Sequence, residues 1–538
     1  MPAHGIRGVE IVFLLLLLFV VVFGALARKL SVPYPIVLVI GGLLLSFVPG
    51  IPNVTLSPDL VFFVILPPLL YSAAWLTSWR EFSYNLVSIF LLAFGLVIFT
   101  VVGVTQVGQW FLPGFDWRVG LALGAIVAPT DAIAAASIAK RLGLPRRMVD
   151  ILEGESLLND ASALLVLEFA IGLLVAGHVP TFSAGVLRLC YLIAAGIAVG
   201  LLVGEIVHLL EHRVDDAPIE IAMSILTPYV VYLAADFIRA SGVLAVVACG
   251  LYLSRKSSHF FSPTVRLQAW AVWDSLTFIL NGLVFVLIGL QLPYVTGAIR
   301  DHHLRTLILY GLALSGLLIL LRLAWMFPGA YVANVIRRRL LHQNEPLPPA
   351  RHIFIVGWTG MRGVVSLAAA IALPQTLSGG VPFAQRNMII FLAFSIILVT
   401  LVLQGLTLPP LIRALGVAGS SGPQPEEREA RRAIVHAAIN FLEKLRSEAG
   451  SEDTEVYEEL AQHYRRRIAT LADEGDAGQD GIDSTFYKHF IDLSLELLRV
   501  ERQTAVRLRN QGRISDELLR TIEHELDLGE ARFVAKSS

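Results

Sequence analysis

Charge is scarce in this chain. Of 538 residues, 42 are lysine or arginine and 43 aspartate or glutamate, 16% in all, where a soluble domain carries about a quarter. Cysteine is scarcer. Cys190 and Cys249 both lie in apolar runs, which excludes a disulfide framework and a cysteine-based metal site. No HExxH spacing and no phosphate-binding GxxxxGK[ST] loop occurs, so zinc hydrolysis and ATP-driven pumping have no support. A TVGYG filter and a repeated acidic ring are also missing, which argues against an ion channel. An intramembrane aspartyl protease using Asp131 and Asp160 is disfavoured, because Asp160 follows Leu158-Asn159 rather than a Gly-x-Gly context.

What the chain has instead is oil. Apolar residues make up 55% and mean hydropathy is +0.69. Stretches of about 20 apolar residues recur, which marks an all-α polytopic membrane protein. Apolar runs and their polar breaks predict about thirteen spans: 8–27, 33–49, 58–77, 85–107, 117–140, 151–176, 182–208, 217–238, 241–254, 266–291, 305–333, 352–378 and 386–412. The 241–254 run is short enough to be re-entrant. Arg7, the apolar stretch from Ile11 and Ala25-Leu26-Ala27 resemble a signal peptide superficially. Glu10 and the Arg28-Lys29 pair favour a retained first span.

Basic residues orient these spans. Placing the first loop inside puts Arg28, Lys29, Arg80, Lys140, Arg141, Arg146, Arg147, Arg213, Arg255, Lys256, Arg266, Arg337, Arg338, Arg339, Arg351 and Arg413 in cytoplasmic segments. Only Arg7, Arg118, Arg239, Arg300, Arg305 and Arg386 remain outside. Sixteen against six predicts an external N-terminus and a cytoplasmic C-terminus in the plasma (inner) membrane.

After residue 414 the character changes. Residues 415–425 read as a Gly/Ser/Pro linker, dividing a transmembrane domain at 1–414 from a small cytosolic helical tail at 426–538. From 415 onward there are 24 acidic and 17 basic residues, so the tail is acidic and the membrane part basic. Helical patterns fall at 424–449, 453–473, 484–511 and 513–530. Such a tail packs on itself or on a dimer mate.

Ionisable side chains within spans cost about 2.5–3.5 kcal/mol each on insertion scales, so each is a candidate functional residue. The densest group is GESLLNDASA at 154–163. Ser156 and Asp160 are four apart and share a helix face, with Asn159 beside Asp160. These oxygens suit the coordination shell of a hard monovalent cation. Glu155 points about 100 degrees away. Glu153, near the cytoplasmic end beside Arg146 and Arg147, reads as a helix-end charge. Asp274 in VWDSLTF is a further candidate, whereas Glu168, Arg188, Glu205, Glu220, Asp236 and Arg322 lie in or near spans with no polar cluster around them. His208, His212, His302 and His303 lie near span ends and read as interface residues.

Two spans are interrupted. Pro129 frees a backbone carbonyl beside Thr130 and Asp131, and Gly357, Gly360 and Gly363 surround Arg362. If span 7 links two six-span repeats, these breaks occupy spans 5 and 12, corresponding places in the two halves. Paired discontinuous helices are the pointer to a transporter's midplane site. Half-helix ends that meet there need compensating charge, which Asp131 and Arg362 could supply.

APTDA, then EGESLLNDASA, then GWTGMRGVVSLAAAIALP, in that order, resemble the cation:proton antiporter-1 family of NhaP/NHE-like sodium/proton exchangers over about 8–412. The resemblance implies inverted repeats with crossed discontinuous helices, a homodimer and an ion-binding core beside a dimerisation bundle. It assigns the cation or proton to Asp160, with Asn159, Ser156, Asp131 and Thr130 around it, and pairs Glu155 with Arg362 as a structural link. One departure stands out: LPPLLYSAAW puts Tyr71-Ser72 where many members carry a carboxylate.

The mechanism implied is Na⁺(Li⁺)/H⁺ exchange for pH and sodium homeostasis, by competition at one buried aspartate with alternating access. A neutral Asn159 beside Asp160 makes the exchange electroneutral, one for one, unless Asp131 titrates with Asp160. A K⁺/H⁺ exchanger of the same fold is the alternative. No enzyme activity, cofactor or nucleic acid is expected; the partners are monovalent cations, protons and lipid.

Overall fold

A computed structural model describes residues 6–30, 32–48, 57–176, 182–214, 216–260, 263–297, 304–343, 346–377, 381–418 and 425–448. Further on it describes 458–462, 464–465, 484–511, 513, 518–519, 522–523 and 525–530. His302, His303 and parts of the tail patterns at 453–473 and 513–530 lie outside these, as do 419–424 of the expected linker. Among the described residues the chain is helical, with one isolated antiparallel bridge between Thr376 and Pro382.

The helices follow the apolar runs. In order they are α1 (Ile6–Leu30), α2 (Tyr34–Leu45), α3 (Leu66–Leu76), α4 (Trp79–Phe90), α5 (Val97–Phe111), α6 (Trp117–Val127), α7 (Ala132–Arg141) and α8 (Arg146–Ala176). Then come α9 (Phe182–Glu211), α10 (Ala217–Phe237), α11 (Gly242–Phe260), α12 (Pro263–Leu290), α13 (Leu292–Gly297), α14 (Leu304–Leu340), α15 (Ala350–Trp358), α16 (Val364–Ile371) and α17 (Arg386–Ala414). Among the described residues nine segments are long and apolar enough to cross a membrane, and Tyr34–Leu45 and Leu60–Leu76 are shorter apolar ones. The stretch expected to be short at 241–254 is a continuous 19-residue helix, because Ser254–Phe260 carries the helix on past the apolar run.

Two π-helical turns, Leu60–Ile65 before α3 and Leu91–Leu96 between α4 and α5, interrupt the regular pattern. Such turns misalign one carbonyl from its usual donor. At the second, the Ser162 hydroxyl of α8 reaches the Ala93 carbonyl. Close helix approach depends on small residues, since lipid supplies no hydrophobic force between helices. The clearest case is α2 on α12: a Cβ on Gly42 would stand 2.4 Å from the Val286 oxygen, and one on Gly289 would stand 2.4 Å from the Val39 oxygen.

The chain divides into two compact units, Met1–Ser420 and Ser421–Ser538. In the second, α18 (Pro425–Glu448) and α19 (Ser484–Asn510) are amphipathic. Arg502 of α19 pairs with Asp527 at 2.6 Å and Glu530 at 2.7 Å, so this unit makes ion pairs within itself.

Candidate ion site at two broken helices

The line from α6 to α7 breaks at residues 128–131, and that from α15 to α16 breaks at residues 359–363. A backbone hydrogen bond joins the two breaks, Asp131 N–H donating to the Met361 carbonyl at 2.7 Å. Four helix ends therefore converge in the interior. Two are C-termini with orphan carbonyls and two are N-termini with orphan N–H groups.

The carbonyls are met by arginines. Arg362 donates through Nε to the Val127 oxygen, 3.2 Å away at the end of α6, and through a terminal nitrogen to the Gly360 oxygen just past α15. Arg322 of α14 donates through Nε to the Gly357 oxygen at 3.1 Å and through a terminal nitrogen to the Val356 oxygen at 3.2 Å. Cationic side chains at the two negative helix ends are what the dipoles require. Gly360 lies between both: a Cβ there would stand 2.5 Å from Arg322 Cδ and 3.3 Å from Arg362 Nη1.

Asp131 serves the opposite ends. It is the N-cap of α7, Oδ1 accepting from Ile133 N–H at 2.8 Å. Its other oxygen lies against Gly363, the residue before α16, where a Cβ would approach Oδ2 to 2.5 Å. Gly363→Ala is therefore expected to displace the Asp131 carboxylate and depress transport at least about tenfold, because an ångström-scale misplacement at a reacting site has about that effect or more. Transport rate per unit of membrane-inserted protein checks it; an alanine variant with wild-type rate would overturn the reading.

Glu155 is 1% exposed. The sequence resemblance pairs it with Arg362, but the structure gives it to Arg322. Arg322 Nη1 reaches Oε1 at 2.5 Å and Nη2 reaches Oε2 at 2.8 Å, a bidentate pair. The reason is rotation about α8. Glu155 is turned from the Ser156 face toward α14, while Arg362 lies on the break and directs Nε and one terminal nitrogen to carbonyls. Arg322, a lone arginine in the LLILLRLAW run, is the residue of this cluster that the sequence pattern left unassigned; its depth in the span was the available signal.

A polar chain links this pair to the break. Thr130 Oγ1 donates to Glu155 Oε1 at 2.9 Å, and Asn159 Nδ2 donates to Thr130 Oγ1 at 2.7 Å and to the Thr130 carbonyl at 3.3 Å. Asn159 thus positions Thr130, and its own Oδ1 is buried with no partner among the described residues. Ser156 Oγ accepts from Ala132 N–H at 3.2 Å, tying α8 to the start of α7.

Beside this framework lies a cavity of about 260 Å³, lined by Pro129, Thr130, Asp131, Ser156, Asp160 and Ser366 among others. Asp160 opens onto it, and no donor among the described residues pairs with its carboxylate. Ser366 Oγ is buried there without a partner among the described residues. From α3 and α12 come Ser72, Thr277 and Asn281, with Thr277 Oγ1 donating to Ser72 Oγ at 3.3 Å. Where a third-span carboxylate is absent, the wall is hydroxyl and amide. Glu168, paired with Arg188 at 3.1 Å, does not line this cavity; nor does Asp274, which is exposed in a second cavity with Arg28 and Arg413 that shares Thr277 with the first.

Residues 14–414 match the family described as sodium/hydrogen exchanger, transmembrane. An uncharacterized Na⁺/H⁺ exchanger of Mycobacterium tuberculosis is 34% identical, over 97% of this chain and 96% of its own. A sodium, potassium, lithium and rubidium/H⁺ antiporter of Bacillus pumilus is also 34% identical, over 82% of this chain and 66% of its own. Among solved structures, the sodium proton antiporter MjNhaP1 from Methanocaldococcus jannaschii at pH 8 superposes with a TM-score of 0.58 at 19% identity. That superposition covers 75% of this chain and 97% of the other.

Proposed function

The chain belongs to the sodium/hydrogen exchanger family, and from that premise we propose that it exchanges Na⁺ or Li⁺ for H⁺, one for one, at Asp160. As a member it is a multi-pass membrane transporter of monovalent cations and protons rather than an enzyme. One observation carries the finer reading: two aspartates, Asp131 and Asp160, line one cavity at the meeting of two broken helices while both nearby arginines are engaged elsewhere.

The residues divide the work. Asp160 holds either a proton or a dehydrated cation. Ser156, Thr130 and Asp131 add oxygens around the cation, and Asn159 holds Thr130 in place. Glu155–Arg322 and Arg362 keep the helix ends fixed while the site turns from one side of the membrane to the other. The charge count supports electroneutrality. Counted together, Asp131, Asp160 and Glu155 carry three negative charges against the two positive ones of Arg322 and Arg362, so one proton or one Na⁺ brings this group to neutrality and each leaves the same net charge behind.

The same reading includes thirteen passes in two inverted repeats, an external N-terminus, a cytoplasmic tail and a homodimer in the plasma membrane. A potassium-accepting exchanger is the second reading, favoured by the range of cations in the name of the Bacillus relative. In proteoliposomes with an imposed ΔpH, Na⁺ and Li⁺ are expected to dissipate the gradient at a rate unaffected by a valinomycin-set potential. A rate that scales with potential would remove the one-for-one stoichiometry, and a K⁺ response equal to that of Na⁺ would select the second reading.

A further inference from the structure

We propose that the Lys140–Glu153 ion pair sets the cation affinity of the transport site by fixing the charge at the mouth of its cavity; this rests on the assignment of Asp160 as the ion seat. The two side chains meet at 2.7 Å, Lys140 from the last turn of α7 and Glu153 from the second turn of α8. Both line the same cavity as Asp131 and Asp160, and these four are the charged residues of its described wall. Glu81, Arg146 and Asp150 lie close enough to influence the same field, but none lines the cavity.

Helix geometry sets the distance. Glu153, Ser156 or Leu157, and Asp160 stand at i, i+3 or i+4, and i+7, on one face of α8, so Glu153 precedes Asp160 by about 10 Å along the axis. A cation approaching Asp160 from that end passes the pair. Lys140 is 64% exposed and Glu153 33%, so the bridge itself adds little to stability. Its effect is electrostatic. Paired, the ammonium and carboxylate present almost no net charge to an entering cation. Unpaired, either one acts at about 10 Å in a cleft with apolar walls, where field lines are focused and local ion concentration follows the sign of the charge.

That arrangement makes the affinity asymmetric. Removing the lysine charge leaves Glu153 bare and draws cations in. Removing the glutamate charge leaves Lys140 as the unbalanced charge of the cavity wall, with Asp150 outside that wall, and repels them. A purely mechanical clasp between α7 and α8 would respond in the same direction to both changes.

The experiment is Na⁺-dependent ΔpH dissipation in everted vesicles, which presents the cation to the side that basic-residue bias assigns to the cytoplasm. Apparent KM for Na⁺, which does not depend on how much of each variant reaches the membrane, is read at low ionic strength, where the field is least screened. Lys140→Gln is expected to lower KM and Glu153→Gln to raise it, each by between about twofold and tenfold. The double variant and Lys140→Arg should return to near the wild-type value, with maximal rate per transporter unchanged throughout. The differences should shrink as inert salt brings the Debye length to about 10 Å or less. Shifts of the same sign, no shift, or a shift confined to maximal rate would overturn the proposal. Full exchange by Asp160→Asn would strike the assignment of the ion seat instead, and the two failures are read from different variants.

Discussion

Replacing Asp160 by asparagine is expected to abolish Na⁺- and Li⁺-driven ΔpH dissipation, by at least about a hundredfold, while leaving the protein folded and inserted. Asparagine matches aspartate in size, so the wall of the cavity is kept. What goes is a charge. A monovalent cation about 4 Å from a carboxylate gains roughly 4 kcal/mol at an effective dielectric of about 20, and each 1.4 kcal/mol is a factor of ten in occupancy. The proton-carrying state goes with it, since an amide does not titrate, so both limbs of the exchange fail together. No donor among the described residues holds the Asp160 carboxylate, so the substitution breaks no hydrogen bond. Asp131→Asn is the informative comparison. Its side-chain oxygen can still cap α7 by accepting from Ile133 N–H, so the helix start survives and only the charge is lost. Partial activity in Asp131→Asn beside none in Asp160→Asn would separate a supporting ligand from the carrier. Wild-type rates in Asp160→Asn would remove the central assignment.

The second large effect concerns stability. Taking one partner from the buried Glu155–Arg322 pair strands a charge or a set of donors in the interior, which costs about 3–5 kcal/mol. Arg322→Met and Glu155→Gln are each expected to lower thermal stability in detergent sharply. The arginine change should be the worse, because Arg322 also satisfies the carbonyls of Val356 and Gly357. The double variant should fall short of the sum, since it leaves neither charge unpaired. A parallel cycle of Glu155→Gln with Arg362→Met should show the smaller coupling, because Arg362 is bound to the Val127 and Gly360 carbonyls rather than to Glu155. A larger coupling in that second cycle would restore the pairing implied by sequence resemblance.

The exchange of Arg362 for Arg322 as the partner of Glu155 marks where sequence reading gives out. Three features of the segment 124–160 are legible in the residues alone. Pro129 predicts a break, Ser156 and Asp160 share a face by their spacing of four, and Glu155 must point elsewhere. Each follows from rules that act within one helix or one turn. Which arginine receives Glu155 is a different kind of question. Arg322 is 167 residues away and Arg362 still further, and nothing local distinguishes them. The choice is made by the rotation of α14 against α8 and by the carbonyls at the end of α15. Likewise Glu153 reads in sequence as a helix-end charge, and only the packing of α7 on α8 brings it to Lys140 and onto the wall of the cavity that Asp160 lines.

The apolar runs, the positions of the two breaks and the polar turn from Ser156 to Asp160 are readable from the order of residues alone, and they mark a membrane transporter. Hydropathy, helix periodicity and proline chemistry operate over a few residues, and these conclusions need no more. Packing of the helices sets how the two breaks are joined, with Asp131 N–H bonded to the Met361 carbonyl, and which arginine meets which helix end. It also decided that Asp160 keeps its carboxylate turned to a cavity. Those outcomes depend on carbonyls and charges far apart in the chain competing for the same few donors, a competition settled only when the helices are packed.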